Sequence, residues 1–253
     1  MRLGPMIALA LALAGCGRIG FDLLGGRGDG GGVDDAGSNG GIDAATIPAG
    51  ALVWLKMNTG PSNGVGIVDS AGFHTSSCQA ACPQRLMGLH SYGYLFATEE
   101  VITSGTGADL DAASGFTGAV WLRLSSLPTS LACAWTKPFA AASGFDSFTL
   151  CIDDVGTTIF DAETPGGVAN QQNGPAIAAG EWHHLAITWD GTTKRDYLDG
   201  SLVGSSTVQL GHSAEALNLG GARGAFFVTG ILDDALYYGR GLTAAEIQLL
   251  ATP

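Results

Sequence analysis

Positive charge is scarce in this sequence: 11 Lys and Arg stand against 23 Asp and Glu, a formal net charge of −12. Nucleic acid and anionic membrane surfaces are bound through clustered Lys and Arg, so neither is expected as an electrostatic partner. Long apolar runs are missing too. The run Met6–Ala14 near the start falls far short of the roughly 20 residues a spanning helix needs. Extended helical periodicity is absent, as is any repeat at the roughly 20–50-residue period of a solenoid or propeller. The acidic balance suits an exported soluble domain and is also compatible with a divalent cation. With 46% apolar and only 13% charged residues, the chain of 253 still has ample material for one large core and a tail.

What is present is alternation by two. Gly180–Thr207 reads GEWHHLAITWDGTTKRDYLDGSLVGSST. Its alternating segments Trp182–Trp189, Lys194–Leu198 and Leu202–Thr207 are separated by Asp190-Gly191 and Asp199-Gly200. Asp-Gly between alternating runs is a strong hairpin signal, because glycine tolerates the positive φ of a tight primed turn. A three-stranded antiparallel meander follows, and with it a sandwich or barrel. Further strands are expected at Ala51–Met57, within Gly93–Ile102, and at Phe116–Leu124, Ala132–Lys137, Asp146–Asp153 and Thr157–Ala162. Leu217–Leu219 and Ala225–Tyr238 supply the last ones. Thr243 with Glu246 three residues on forms a capping box, so one short helix should close the chain, with Ile247 and Leu250 covering an open end of the sandwich.

The start of the chain has the layout of an export signal: Arg2, the apolar run, then small residues. Leu13-Ala14-Gly15-Cys16 resembles the lipobox of bacterial lipoproteins. That resemblance implies cleavage after residue 15 and acylation of Cys16, with the lipid bilayer as partner. Gly17 after the Cys points in such proteins to the outer membrane of the cell envelope. Residues 16–50, rich in Gly and Asp and free of Trp and Tyr, cannot bury enough surface to offset ordering entropy and read as a flexible tether. The folded domain is then 51–253. Arg27-Gly28-Asp29 is a chance tripeptide in a Gly-rich stretch, and the double glycines lack the Lys-Ser/Thr of a phosphate loop.

The ordered segments FTGAVWLRL, GEWHHLAITWDG, YLDGSLVG, LNLGG and GILDDALYYGRGLTAAEIQLL resemble the laminin-G-like, or concanavalin A-like, jelly-roll domain of secreted proteins. The match runs from about Ala51 to Ala251. It implies an all-β, two-sheet antiparallel jelly-roll sandwich with one short C-terminal helix. It further implies a module that binds carbohydrate or protein, in many members with calcium. The reading is therefore a non-catalytic, envelope-anchored binding module, most simply for carbohydrate or glycan. A structural or protein-interaction domain of the envelope is the alternative, and a glycoside hydrolase-like enzyme a minor one.

Setting Cys16 aside leaves Cys78, Cys82, Cys133 and Cys151, an even number in an oxidising compartment. Four Cys allow three connectivities. Cys78–Cys82 within one loop and Cys133–Cys151 on neighbouring strands is the pairing expected; zinc would need a second close pair. The E-x-D-x-x-E strand of related glucanases is absent, and Glu99-Glu100 and Asp233-Asp234 are adjacent, so each pair should face opposite sides of a strand. Of His183 and His184 at most one can point inward. Calcium is the better site hypothesis. Asp69, in the turn Asp69-Ser70-Ala71-Gly72, and Asp233 near the end of the last core strand match acidic positions of the family. If the first and last strands are neighbours, these acids converge with nearby carbonyls on an ion that takes about 6–8 oxygens. The alternative is that Asp69 caps its turn and Asp233 accepts a backbone bond. Sugars stack on exposed aromatic faces, and Trp135, Tyr237 and Tyr238 are the candidates; Trp54, Trp121, Trp182 and Trp189 fall in strands and are expected in the core.

Overall fold

Alternating runs rich in β-branched and aromatic residues form strands whose two faces differ. The computed structural model describes residues 47–60, 67–79, 81–140 and 145–253. The expected leader, Cys16 and the tether up to residue 46 lie outside the described residues. In chain order the strands are β1 Ala51–Leu55, β2 Ser76–Cys78, β3 Gln84–Met87, β4 Tyr92–Phe96, β5 Ile102–Ser104, β6 Phe116–Leu124, β7 Leu131–Ala140 and β8 Phe145–Asp153. They continue as β9 Thr157–Asp161, β10 Gln172–Ala176, β11 His183–Trp189, β12 Thr193–Leu198, β13 Ser201–Thr207, β14 Asn218–Leu219 and β15 Gly230–Tyr238. One helix, α1 Ala244–Leu250, follows.

Two antiparallel sheets result, the architecture of a jelly-roll sandwich. The larger has the order β13-β12-β11-β6-β15-β4-β3, with β1 also on β15. The smaller has the order β10-β9-β8-β7-β14-β5-β2. The meander is β11-β12-β13, and Asp199 and Gly200 both take the positive φ of a primed turn, at 50° and 74°. First and last strands are indeed neighbours: β1 pairs with Ala235–Tyr238 of β15. β4 pairs with Gly230–Leu232 of β15, while β6 runs along the opposite edge. β1 and β4 therefore share one edge of β15, end to end.

The main core lies between the sheets. Val53, Phe96, Phe116 and Leu122 of the larger sheet meet Trp135, Phe148, Leu150 and Phe160 of the smaller. Each such side chain contributes about 1.5–3 kcal/mol when fully buried. Lys194 also lies inside, its Nζ held at 2.9 Å by Phe160 O, Asn170 O and Asp196 Oδ2, so an ammonium of β12 ties down the carbonyl end of β9.

The helix forms with its full capping box: the Thr243 side chain accepts from the Glu246 N–H, and the Glu246 side chain accepts from the Thr243 N–H. It does not close an end of the sandwich. Ile247 and Leu250 pack with Trp54, Tyr197, Leu236 and Tyr238 on the outer face of the larger sheet, a second apolar layer. Both disulfides have the expected pairing, Cys78–Cys82 and Cys133–Cys151. The last strand is shorter than its aromatic content suggests. Residues 220–229 leave the sheet and fold back over the smaller sheet, because Ala222 and Ala225 exchange backbone bonds around a tight turn. Among the described residues no helix is long and apolar enough to cross a membrane.

Candidate functional site

The residues chosen from sequence as sugar platforms are not on the surface. Trp135 and Tyr238 are 0% exposed and Tyr237 is 1%. Trp135 and Tyr237 point between the sheets, with Trp135 Nε1 donating to Leu236 O and Tyr237 OH donating to Leu110 O. Tyr238 faces outward but lies under α1 and donates to Pro48 O. Both faces of these strands are covered, so outward alternation does not bring exposure. Trp182 departs in the other direction. It precedes β11, is only half-buried, and sits 5.3 Å from the Arg123 guanidinium.

The acids proposed for calcium do not converge either. Asp69 Oδ1 accepts the N–H groups of Trp54 and Ala71, and its Oδ2 those of Phe73 and His74, at 2.8–3.3 Å. It caps its own turn and clips that turn to β1. Asp233 gathers with Asp234 and His90 instead, all buried, with ligand-capable atoms within 4.8 Å of one another; Asp69 is not among them.

That cluster exists because β15 breaks its alternation. Register shifts between Asp233 and Leu236, and Asp234 takes φ 41°. The extra residue of the bulge turns both carboxylates to the outer face, where strict period two would have sent them apart. Asp233 Oδ2 accepts the N–H groups of Leu89 and His90, and its Oδ1 that of Asp234. Asp234 Oδ1 accepts from Trp54 Nε1, and its Oδ2 lies 2.8 Å from His90 Nδ1. The loop carrying these amides approaches closely: a Cβ on Gly88 would stand 2.5 Å from Asp233 Oδ2. Burial and the Asp234 charge push the Asp233 carboxyl up, to about 8, against three backbone N–H groups that favour its ionised form. Trp121 separates this cluster from His184, whose ring burial pushes down to about 3. Of the paired histidines only His184 is fully buried, on the outer face of the larger sheet against Trp121, while His183 bonds Asp199 nearer the surface. Every carboxylate oxygen of the cluster already faces an N–H group or the imidazole. A hard cation needs about 6–8 oxygens, so this set of residues fits bound protons and not calcium.

The outer face of the smaller sheet is different. Phe148, Leu150 and Phe160 point into the core, so Thr149, Cys151, Ile159 and Asp161 point outward. There the Cys133–Cys151 disulfide and Ile159 floor an open cleft of about 210 Å³. Asp146, Asp161, Glu163, Arg223 and Phe226 wall it. The loop 220–229 supplies the last two. Arg223 and Gly224 hold φ of 53° and 65° in the two-residue primed turn between Ala222 and Ala225, and Phe226 is again at 53°. A non-glycine residue at positive φ stores strain, and here two of the cleft's walls do so.

Arg223 Nη2 stands 2.7 Å from Asp146 Oδ2 and 3.0 Å from Glu163 Oε1, and Arg223 Nε donates to the same Asp146 oxygen. Thr149 Oγ1 donates to it as well. The remaining oxygens, Asp146 Oδ1 and Glu163 Oε2, and with them Asp161 Oδ1, are shielded from solvent and accept no hydrogen bond. Burial pushes Asp146 up, to about 6, with the Arg223 charge opposing, and burial and the Glu163 charge push Asp161 up as well. A roomier cleft of about 290 Å³ adjoins it across Leu131 and Phe226, but no titratable side chain lines it. None of the carboxylates of the acidic cleft was singled out from sequence. The signal was faint: Gly220-Gly221-Ala222-Arg223-Gly224 interrupting a strand.

Comparison with solved structures shows what this fold is similar to. Domain 4 of AbnA, an extracellular arabinanase of Geobacillus stearothermophilus solved with arabinotriose, aligns at 16% identity and TM-score 0.65, over 80% of this chain and 98% of that one. The binding domain of the Paraclostridial Mosquitocidal Protein 1 aligns at 15% and 0.62, over 80% of this chain and 52% of that one. Trypanosoma rangeli sialidase, solved with the inhibitor DANA, aligns at 15% and 0.65, over 81% of this chain and 33% of that one. This chain thus spans about half of the toxin domain and a third of the sialidase. Among curated proteins none matches its sequence. The profile of the Laminin_G_3 family covers residues 96–248, more than half the chain, so this protein belongs to the concanavalin A-like lectin/glucanases superfamily.

Proposed function

We propose that this protein is a non-catalytic carbohydrate-binding module whose glycan sits in the cleft formed by Asp146, Asp161, Glu163, Arg223 and Phe226. One observation carries the reading: an open cleft on the outer face of the smaller sheet is walled by Asp146, Asp161, Glu163 and Arg223 beside the half-exposed Phe226 ring. Polar acceptors few in number and fixed in position, next to an apolar wall, are the usual composition of a small-molecule site. The arabinotriose complex of the similar arabinanase domain supports carbohydrate as the ligand class.

Hydrolysis is the less suitable chemistry. A hydrolytic pair flanks the scissile bond with carboxyls about 5–5.5 Å or 6.5–9.5 Å apart, one protonated and one ionised. Here Asp146 and Glu163 grip the same guanidinium nitrogen, which leaves no room for a bond between them.

The test is a glycan array followed by calorimetry with the best ligand. Arg223→Ala frees both carboxylates, and it should weaken binding by about tenfold or more. It also leaves the buried Asp146 and Glu163 carboxylates without their counter-ion, so the melting temperature should fall as well, and affinity is compared at a temperature where the variant is folded. Unchanged affinity in Arg223→Ala would remove the cleft from the reading, and polysaccharide hydrolysis by the purified chain would remove "non-catalytic". Anchoring at the envelope through acylated Cys16 belongs to the same proposal, motivated by Leu13-Ala14-Gly15-Cys16. Cys16→Ala should move the protein from the membrane fraction to the soluble one; full retention would defeat the anchor.

A further inference from the structure

The cleft beside the acidic one is lined without a single charged side chain, in a chain of formal net charge −12. Four hydroxyls border it. Ser126, Thr129 and Ser130 stand on the turn between β6 and β7, and Thr229 just before β15. All four residues are exposed, and among the described residues none of these hydroxyls is taken up by a hydrogen bond. Leu127 and Phe226 add exposed apolar surface. Leu127 is propped against the turn between β8 and β9, where a Cβ on Gly156 would stand 3.2 Å from its Cδ2.

The walls are held by the main chain. Ser125 N–H donates to Thr229 O at 2.9 Å, which ties the β6–β7 turn to the start of β15. Cys133 N–H donates to Phe226 O at 2.7 Å, and Val228 N–H to Gly220 O at 3.0 Å, which pin the fold-back onto the smaller sheet. The cleft is therefore formed before any ligand arrives, as small-molecule sites commonly are. Phe226 and Leu131 border this cleft and the acidic one alike. At about 290 and 210 Å³, each alone falls below the roughly 300–1,000 Å³ of sites for drug-sized ligands, and the two together lie within it. A ligand that fills a site of ordinary size here has to cross Phe226.

The lining selects the chemistry of the part that crosses. An anion would find no cationic donor, and the net charge of the chain repels it. A purely aliphatic group would strip water from four hydroxyls and replace none of their bonds. A sugar ring matches both features. Its hydroxyls donate and accept, as those of Ser and Thr do, and its C–H face suits an aromatic or leucine wall.

We infer that the two clefts are consecutive subsites for one neutral oligosaccharide, which crosses Phe226 and seats at least one unit among Ser126, Thr129, Ser130 and Thr229. This rests on the carbohydrate reading above and extends it from one ring to a chain. Affinity should then grow with chain length until both clefts are filled, and level off beyond.

The experiment is a glycan array carrying neutral glucan, xylan, mannan and arabinan ladders of one to six units and a galacturonan ladder as their charged counterpart, followed by calorimetry on the full chain. Along the favoured neutral ladder affinity should rise by about tenfold or more, equal to about 1.4 kcal/mol or more, before the plateau. Ser126→Tyr and Thr229→Tyr obstruct the uncharged cleft from its two rims, and each should flatten the rise. Both positions are exposed, where substitutions seldom disturb the fold, and the length dependence itself is read on the unaltered chain. One unit bound as tightly as six overturns the second subsite and spares the carbohydrate reading. A rise that survives in both folded Tyr variants puts the further units elsewhere and overturns it too. Preference for the galacturonan ladder overturns a neutral ligand. An array blank for every glycan, probed with a chain that melts cooperatively, overturns both this inference and the reading it rests on.

Discussion

The two outer faces of the sandwich treat acidic residues in opposite ways. On the larger sheet, Asp233 and Asp234 are buried beside α1, and their oxygens face amides, an indole N–H and an imidazole of the chain itself. On the smaller sheet, Asp146, Asp161 and Glu163 each keep a shielded oxygen without a donor. Burial alone therefore does not fix how a carboxylate is satisfied. The chain supplies donors to every oxygen of Asp233 and Asp234, and leaves one oxygen each of Asp146, Asp161 and Glu163 without one.

The largest expected effect lies on the sealed face. Asp234→Ala strips the partners from Trp54 Nε1 and His90 Nδ1, and breaking a buried, paired group in this way costs about 3–5 kcal/mol. Urea unfolding measures it; a loss below about 1 kcal/mol would erase the contrast between the faces. Glu163→Gln, in the cleft, should move the midpoint much less, because its Oε1 can still accept from Arg223 and its Oε2 has no internal partner to lose.

A middle-sized effect concerns acid. His184 is held near 3 in the fold against 6.5 when unfolded, so the folded chain binds fewer protons. Its contribution to stability is complete above pH 6.5 and is lost progressively as pH falls towards 3. Asp233 has the opposite sign, its contribution being present below 3.8 and lost as pH rises through about 8. Melting curves of His184→Gln and Asp233→Asn should each flatten one of these slopes, and parallel curves for both variants would break the assignment. The smallest effect is that of a chelator. With Asp69 occupied by four backbone N–H groups and Asp233 by three, removal of calcium should leave the melting temperature unchanged. A drop of several degrees would restore the cation at Asp233.

Much of the scaffold was readable in advance because it follows from local rules. Asp199-Gly200 marks its own hairpin, Thr243 and Glu246 their own cap, and Cys133 and Cys151 meet because the strands carrying them pair. The sites were less readable because they arise where those rules lapse. Strict alternation sends Asp233 and Asp234 to opposite faces, and only the positive φ at Asp234 brings them together. His90, which joins them, comes from a loop more than a hundred residues away. The cleft depends on a fold-back at Arg223 and Phe226 that strand-like aromatics conceal, and its acids meet only once β8, β9 and that loop are assembled. Exposure was the weakest expectation, since α1 and the segment before β1 cover a face that open alternation would leave wet.

The kink in β15 also bears on how the chain finds its alignment. A strand bordered end to end by two partners could slide by a residue against either, and each slip would exchange the side chains packed between the sheets with those packed on the outer face. Only one alignment places both acids where loop and indole N–H groups can reach them, so the bulge works as an index notch for β1 and β4 together. Amide protons in those two distant segments should accordingly exchange as one cooperative unit.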